Sequence, residues 1–406
     1  MRGMLDGVRV IDFTANISGP ATTQFLTDMG AEVIKVEKPG GEDARFFPPY
    51  KNGFSGSFLV MNRGKKAITI DVKNPEGVML FKELVGTADV LVENFRPGVM
   101  NKLGLGYDVL KEVNPKLVML SLSGYGQYGP LSHLPAYDSI MQAMSGFMSS
   151  TGYDGGEPLK TGSIVLDLAT AMNSAFSICA ALFARERTGE GEYLDISMYD
   201  TAVNLLEVKW VDYTINGNLP RRTGNRYPHV TPFDSYKTMD GHVMICCAGD
   251  KTFQTLCNGM GMPDLIKDER FCNFFKRNEN ESELKKIVED WAADKTSEQV
   301  FKVLSENGAP VAPINDIKAV FEHPHTEARG LKVDVDQPGA GIISIYGPSQ
   351  KARNSEIKNR GYSPRVGEHN LWLLETVLGK GGAEMKSILA SGAMGPVSEE
   401  VKAKIQ

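Results

Sequence analysis

The chain has 406 residues, 42% hydrophobic and 23% charged, with a formal net charge of −6. Those values describe a globular protein of two or three domains with length for a real core, and the acidic balance gives no electrostatic case for nucleic acid. No apolar run of about 20 residues is expected to span a membrane, and five cysteines without a CxxC pair read as reduced thiols of a cytoplasmic protein.

Val8–Phe13 is predicted as a buried strand. Ser18–Gly19–Pro20 then starts a helix, with proline at its first position, that runs to about Met29. Ala31–Glu37 is the next strand, followed by Ala67–Val72, Ala88–Glu93, Leu117–Ser123 and Glu192–Met198. Helices fit between them, from Pro75–Glu76, around Tyr107–Val113, and over 168–186. Repeated βαβ units with β-branched strands imply an α/β class with a parallel sheet covered on both faces.

From about Leu219 the texture changes. Arg221–Pro232 reads as a loop, Phe233–Ala248 as a strand hairpin around Met239–Asp240–Gly241, and charged helical segments run on to about Asn307. Strands are predicted near Leu331–Val335 and Gly341–Tyr346, then a helix near His369–Leu378, and the last ten or so residues are polar and expected to fray. The division that follows is 1–205 as a large domain, 206–328 as linker and small domain, and 329–406 as a segment returning to the large domain.

Asp167 is the sharpest chemical signal. No other charge lies between Lys160 and Arg185, so this carboxylate enters a long apolar helix alone. Such a group needs specific solvation, because burying an unpaired charge is costly. It reads either as the helix N-cap or as a carboxylate nucleophile at a helix start, and the two roles are compatible.

Other motifs weigh less. Gly124–Tyr125–Gly126–Gln127–Tyr128–Gly129 matches a dinucleotide fingerprint, but it follows the fifth strand and runs into Pro130–Pro135 instead of a helix. A dehydrogenase would rest on that motif alone. Lys35, Lys38, Lys73, Arg96 and Lys102 fall at or just past strand ends, where a crevice for a phosphate-bearing ligand would form. Met141, Met144 and Met148 have helical spacing and read as core, or as a flexible acyl lining. His369 has no GxSxG partner, and His323 and His325 flank Pro324 without nearby Cys or His, so no triad and no metal site is expected.

Taken together, these residues carry a resemblance over nearly the whole chain. Leu5–Asp12, Gly19–Pro20, Gly30–Glu37, Asp89 with Val92–Gly98, Ser123–Pro130, Tyr137–Asp138, Asp167, Arg187–Gly191 and Pro364–His369 stand in the order and spacing of the class III coenzyme A transferases. The chain resembles that family of carnitine, formyl and bile-acid CoA-transferases, nearest its carnitine-like branch. The resemblance implies a Rossmann-like large domain, a smaller α+β domain and an interlocked homodimer. It implies CoA transfer from an acyl-CoA to a carboxylic acid, with the CoA thioester as substrate and no further cofactor. Asp167 stands at the nucleophile's position, and Asp138 at that of an acidic residue near the reaction centre. Lys38, Ile70, Lys73, Asn94, Phe95 and Lys102 match CoA-contacting positions, with Arg96 beside them.

The resemblance also implies that Ala15, Asn16, Ile17 and Ser18 border the thioester, with backbone N–H groups there or at the Gly224 turn as oxyanion donors. Ile17 replaces a glutamine of some relatives and Pro135 a lysine, and a polyglycine loop is missing near Thr223–Tyr227. Those departures point away from formate and oxalate. The α-methylacyl-CoA racemases of the same fold remain an alternative, as does an idle CoA-binding protein. A racemase needs a histidine where Tyr137 stands, and a phenol is a poor base at neutral pH.

Overall fold

The structure, a computed structural model, describes residues 2–395. The polar terminal stretch lies outside the described residues. A six-stranded sheet runs from edge to edge as Lys66–Thr69, Glu32–Glu37, Arg9–Phe13, Val90–Glu93, Val118–Ser123 and Glu192–Ser197. Every neighbouring pair is parallel. Ile11, Ile34, Ile68, Leu91 and Met119 pack on one face, and Val10, Val33, Val90, Val118 and Leu120 on the other. Burial on both faces is why these strands are nearly continuous β-branched runs. In chain order the sheet reads 3-2-1-4-5-6, so its order reverses between Arg9–Phe13 and Val90–Glu93. Ligands of such sheets sit outside the carboxyl ends of the strands at that reversal.

The helix Val165–Thr188 starts two residues before Asp167. Leu166, Ala175, Ile178, Ala181 and Leu182 are buried in the core of the sheet's second face. By length and composition it is apolar enough to cross a membrane, which corrects the expectation that no such stretch exists. Its buried face belongs to the core helix of a folded sheet. All five cysteines are free.

The chain divides into two compact units. One gathers the residues up to Phe147, Lys160–Val211 and the segment from His325 on. In it, Lys332–Gln337 and Gly341–Tyr346 form an antiparallel hairpin. The chain then returns to the sheet edge, where the Ala67 N–H donates to His369 Nδ1 at 3.2 Å and the Thr69 N–H to Asn370 Oδ1 at 2.9 Å. The other unit is Met148–Leu159 with Asp212–Pro324. Its sheet pairs Phe233–Lys237, His242–Cys246 and Val311–Pro313 antiparallel, over a core that includes Phe253, Leu284 and Leu304.

Three expectations change. The start of 206–328, read as linker, contains the helix Val208–Asn216. Residues 148–159, placed in the large domain, cluster with the second unit. Met148 therefore lies beyond the helix Asp138–Met144 that carries the buried Met141, and the three methionines make no single stripe.

Candidate functional site

Asp167 is not the cap of its helix. The N-cap is Ile164, which has no side chain to offer the first-turn N–H groups. The cap comes from another helix: Asp138 Oδ1 accepts the N–H of Leu166 at 2.8 Å and of Asp167 at 3.3 Å. Asp138 is held in turn by Gln142, whose Nε2 donates to Asp138 Oδ2 and, at 3.1 Å, to Thr161 Oγ1. Gln142 Oε1 accepts the Thr161 N–H at 2.9 Å, so the buried amide is fully satisfied. Asp167 is thus free of capping duty and points a half-buried carboxyl elsewhere. Burial, then the charge of Asp138, push that carboxyl up to about 6, and a hydrogen bond from the Ser18 hydroxyl partly offsets the rise.

Ser18 stands at the end of a tightly held loop. The Thr14 N–H donates to Asp12 Oδ1 at 3.1 Å, the Ala15 N–H to Asn94 Oδ1 at 2.8 Å, and the Asn16 N–H to Glu42 Oε2 at 2.8 Å. Asn94 closes its clamp by donating Nδ2 to Ala15 O at 2.8 Å, across the point where the strand order reverses. Asn16 takes a left-handed turn, φ 68°. Gly19 is required, because a Cβ there would come within 2.5 Å of Thr14. The helix Ser18–Asp28 begins here, and the N–H groups of Ile17 and Ser18 have no partner among the described residues. Among the loop's expected oxyanion donors, Ala15 and Asn16 are therefore already spent.

Beneath the loop lies a buried ion cluster. Asp12 Oδ2 sits 2.8 Å from Lys65 Nζ, and Asp12 Oδ1 3.9 Å from Lys35 Nζ. Lys35 also pairs with Glu42 at 2.7 Å and donates to Thr14 O at 3.1 Å. Burial alone would raise the Asp12 carboxyl, but Lys35 and Lys65 outweigh it and hold it well below the usual carboxylate range. Lys35 is thus no phosphate-seeking surface charge, as its place at a strand end had suggested.

A cavity of about 340 Å³ opens where the strands end, walled by Phe13–Asn16, Val36–Lys38, Glu42, Asp43, Ile70–Lys73, Phe95, Val99 and Leu103. Apolar Phe13, Val36, Ile70 and Phe95 form its floor, with Lys38 and Lys73 exposed at its rim. An apolar floor with a few polar and charged groups around it is the general form of a small-molecule site. Lys38, Ile70, Lys73 and Phe95, expected at CoA-contacting positions, all line this cavity, and so does Asn16, expected beside the thioester. Asn94, Arg96 and Lys102 are not among its walls, and the Asn94 amide instead braces the loop.

The remaining assignments sort differently. Tyr137 is 71% exposed and forms the N-cap of the helix Asp138–Met144. In the second unit, the Gly224 N–H donates to Gly152 O at 2.8 Å, so it is no free oxyanion donor. Gly224 has φ 62°, and a Cβ there would meet the Tyr153 ring at 2.7 Å. The glycine turn after Ser123 leads into irregular chain, with the Gly126 N–H given to Ser123 Oγ and the Gln127 N–H to Asp195. Nothing there presents N–H groups to a pyrophosphate as a dinucleotide fold does. Glu42 and Asn94 were missed in their bracing roles because they act across 26 and 79 residues, whereas Gln142 reaches Asp138 one helical turn away and was missed because Asp138's own role as cap was not visible.

The sequence profile described as CoA-transferase family III matches residues 5–370. The chain is 41% identical to the acetyl-CoA:oxalate CoA-transferase of Acetobacter aceti, over 90% of this chain and 94% of that one. It is 36% identical to the succinyl-CoA:glutarate CoA-transferase of Mus musculus, over 96% and 90%. It is 40% identical to the succinyl-CoA:mesaconate CoA-transferase of Haloarcula hispanica, over 92% and 96%. A solved CAIB/BAIF family protein from Brucella suis superposes with a TM-score of 0.82 at 34% identity, covering 92% of this chain and 99% of that one.

Proposed function

This chain belongs to CoA-transferase family III and is a CoA-transferase, and from that premise we propose that it exchanges coenzyme A between carboxylic acids through covalent intermediates on Asp167. The observation that carries the reading is a carboxyl relieved of capping, raised to about 6 and hydrogen-bonded by Ser18, on the loop that walls the strand-end cavity. An Asp167 oxygen attacks the acyl-CoA carbonyl, the C–S bond breaks, and CoA leaves as thiolate. The thiolate attacks the aspartyl carbonyl of the resulting mixed anhydride and expels the donor carboxylate. An aspartyl-CoA thioester remains, and the acceptor acid runs the two steps in reverse. No net proton or water is consumed, so the thioester energy is conserved. The N–H groups of Ile17 and Ser18 are the loop's oxyanion donors, at a helix N-terminus.

The donors and acceptors in the relatives' names are small acids, and several acceptors are dicarboxylates. We extend this to the present chain: its acceptor is a short dicarboxylic acid. The departures at Ile17 and Pro135 carry no argument against oxalate, since a relative 41% identical is named for it. The nucleotide portion of CoA belongs in the strand-end cavity of the larger unit, formed by the residues up to Phe147, Lys160–Val211 and the segment from His325 on. Two chains interlocked as a dimer in the cytoplasm complete the proposal. A panel of acyl-CoA donors against mono- and dicarboxylic acids, read by the mass of the new thioester, tests it. Transfer to monocarboxylates alone defeats the dicarboxylate reading.

Removing charge at Lys38 or Lys73 is expected to raise the apparent constant for acyl-CoA by about 3- to 10-fold each, since exposed charges contribute about 1 kcal/mol. The effect shrinks as salt is added, because the rim is solvent-screened. Equal effects on the free acid would make these lysines structural.

Transfer leaves the α-carbon of the acyl group untouched, whereas racemisation exchanges its proton. A chiral 2-methylacyl-CoA in deuterium oxide is expected to keep proton and configuration while a second acid in the same tube acquires CoA. Deuterium entering at a rate comparable to transfer would make this a racemase.

A further inference from the structure

We infer that Glu42 is a positioning residue that couples the strand-end cavity to the loop beside Asp167. The inference rests on the reading of Asp167 as nucleophile and extends it. Glu42 is only 5% exposed, yet it is one of the cavity walls. One of its oxygens pairs with Lys35 at 2.7 Å, and the other accepts the Asn16 N–H at 2.8 Å. Its own N–H donates to Glu37 Oε2 at 2.9 Å, and Glu37 is locked by Arg45 at 2.6 Å. The carboxylate is therefore fixed from behind and grips the loop in front.

The grip falls on a position that needs it. Asn16 turns through φ 68°, a left-handed conformation that is costly for most side-chain-bearing residues and that asparagine tolerates better, so a fixed N–H partner selects it from its alternatives. The lysine that Glu42 neutralises holds the same loop two residues earlier, at Thr14 O. Two residues later comes Ser18, the first residue of the helix that packs on the helix of Asp167, and its hydroxyl lowers the Asp167 carboxyl. One carboxylate thus secures the approach to the nucleophile at Thr14 through Lys35 and at Asn16 directly.

The sign of the charge separates this role from ligand binding. CoA is a polyanion, and a carboxylate in the wall of its pocket disfavours it. An acidic residue could hold CoA through its ribose or adenine, but both Glu42 oxygens are already taken, one by Lys35 and the other by the Asn16 N–H. Asn16 is a wall of the same cavity, so occupancy by the nucleotide bears on the segment that Glu42 holds. Nucleotide binding far from the reacting carbonyl is then expressed in loop geometry at Asp167, which is how remote contacts raise kcat and not affinity alone.

The test uses the full chain with Glu42→Ala and Glu42→Gln. Three quantities are measured: the dissociation constant for free CoA, kcat for transfer, and the rate at which acyl-CoA modifies the peptide containing Asp167, by quench and mass spectrometry. In Glu42→Ala, kcat and the modification rate are expected to fall about 100-fold, the scale of a misplacement of about 1 Å. The CoA constant stays within about threefold or tightens, because a like charge has been removed. Glu42→Gln keeps an oxygen for the Asn16 N–H but no charge for Lys35, and is expected to fall between Glu42→Ala and wild type.

If Glu42→Ala does not fold, Glu42→Gln carries the same comparison, and failure of both to fold overturns the inference in favour of a purely structural role. A wild-type modification rate in either folded variant overturns it too, as does CoA binding that weakens in parallel with kcat. The Asp167 reading fails separately: if wild-type enzyme yields no modified Asp167 peptide, the nucleophile is elsewhere, whatever Glu42 does.

Discussion

Asp167→Ala is expected to lower kcat/KM for CoA transfer by roughly 10⁴-fold or more, because no other group can form the anhydride. Asp167→Asn is the stricter variant, since it keeps the shape and loses the charge. Incubation of wild-type enzyme with acyl-CoA, then hydroxylamine, should convert the peptide containing Asp167 to a hydroxamate that neither variant gives. Near-normal turnover in Asp167→Ala would end the mechanism. The pH profile provides a second reading. A nucleophile must be ionised, and this carboxyl sits at about 6, so kcat/KM is expected to fall tenfold per unit below that value. Asp138→Asn retains an oxygen to cap Leu166 while removing the second cause of the shift, so the limb should move to lower pH. Stability runs the opposite way. Between the ordinary carboxylate value and 6 the folded state holds the proton more tightly than the unfolded chain, so stability falls as pH rises through that window. Asp167→Asn should therefore be at least as stable as wild type at pH 7.

Asp12→Ala is expected to cost about 3–5 kcal/mol of folding stability, the penalty for leaving buried charge without its partner. Asp12, Lys35 and Lys65 are all nearly inaccessible, at 0%, 0% and 3% exposure, so water cannot replace the lost carboxylate. The variant also strips acceptors from Thr14 and Thr23. Asp12→Asn keeps one of the two acceptor oxygens and the shape while removing the charge. The urea midpoint of unfolding, followed by tryptophan fluorescence in a Trp291→Phe background so that only the large unit reports, measures both. With its folded value depressed, Asp12 contributes stability that is present above the ordinary carboxylate value and is lost as pH falls below it. A wild-type midpoint in Asp12→Ala would mean that the lysines find other partners.

Much of the large domain was legible because its strands are buried on both faces. The runs around Val10, Val33, Val90 and Val118 need no periodicity to betray them, and the helix Pro75–Val85 carries its proline with Asn74 as side-chain cap. Tyr107–Val113 matches to the residue. Asp167 stood out by its isolation, but its local role did not, because the competing cap lies 28 residues away in Asp138. Local pattern cannot report a cap supplied by another helix. Lys35 misled for the same reason: a lysine at a strand end reads as solvated until Asp12 and Glu42 are brought beside it. The bracing of Ala15 by Asn94 spans 79 residues, which no window detects. Residues 148–159 carry no composition shift that would assign them to the second unit.

The return of the chain to Lys66–Thr69 sets a timetable for biosynthesis. The Ala67 N–H and the His369 ring that receives it are 302 residues apart. At roughly 5–20 residues per second, a ribosome takes about 15–60 s to make that stretch. Throughout that interval the first strands are available but one margin of their sheet lacks its cover. Unpaired strand margins template association between nascent chains. The demand on chaperones is therefore concentrated in the time before residue 370 emerges, and chains stopped short of it are expected to aggregate even though every strand of the main sheet has already been made.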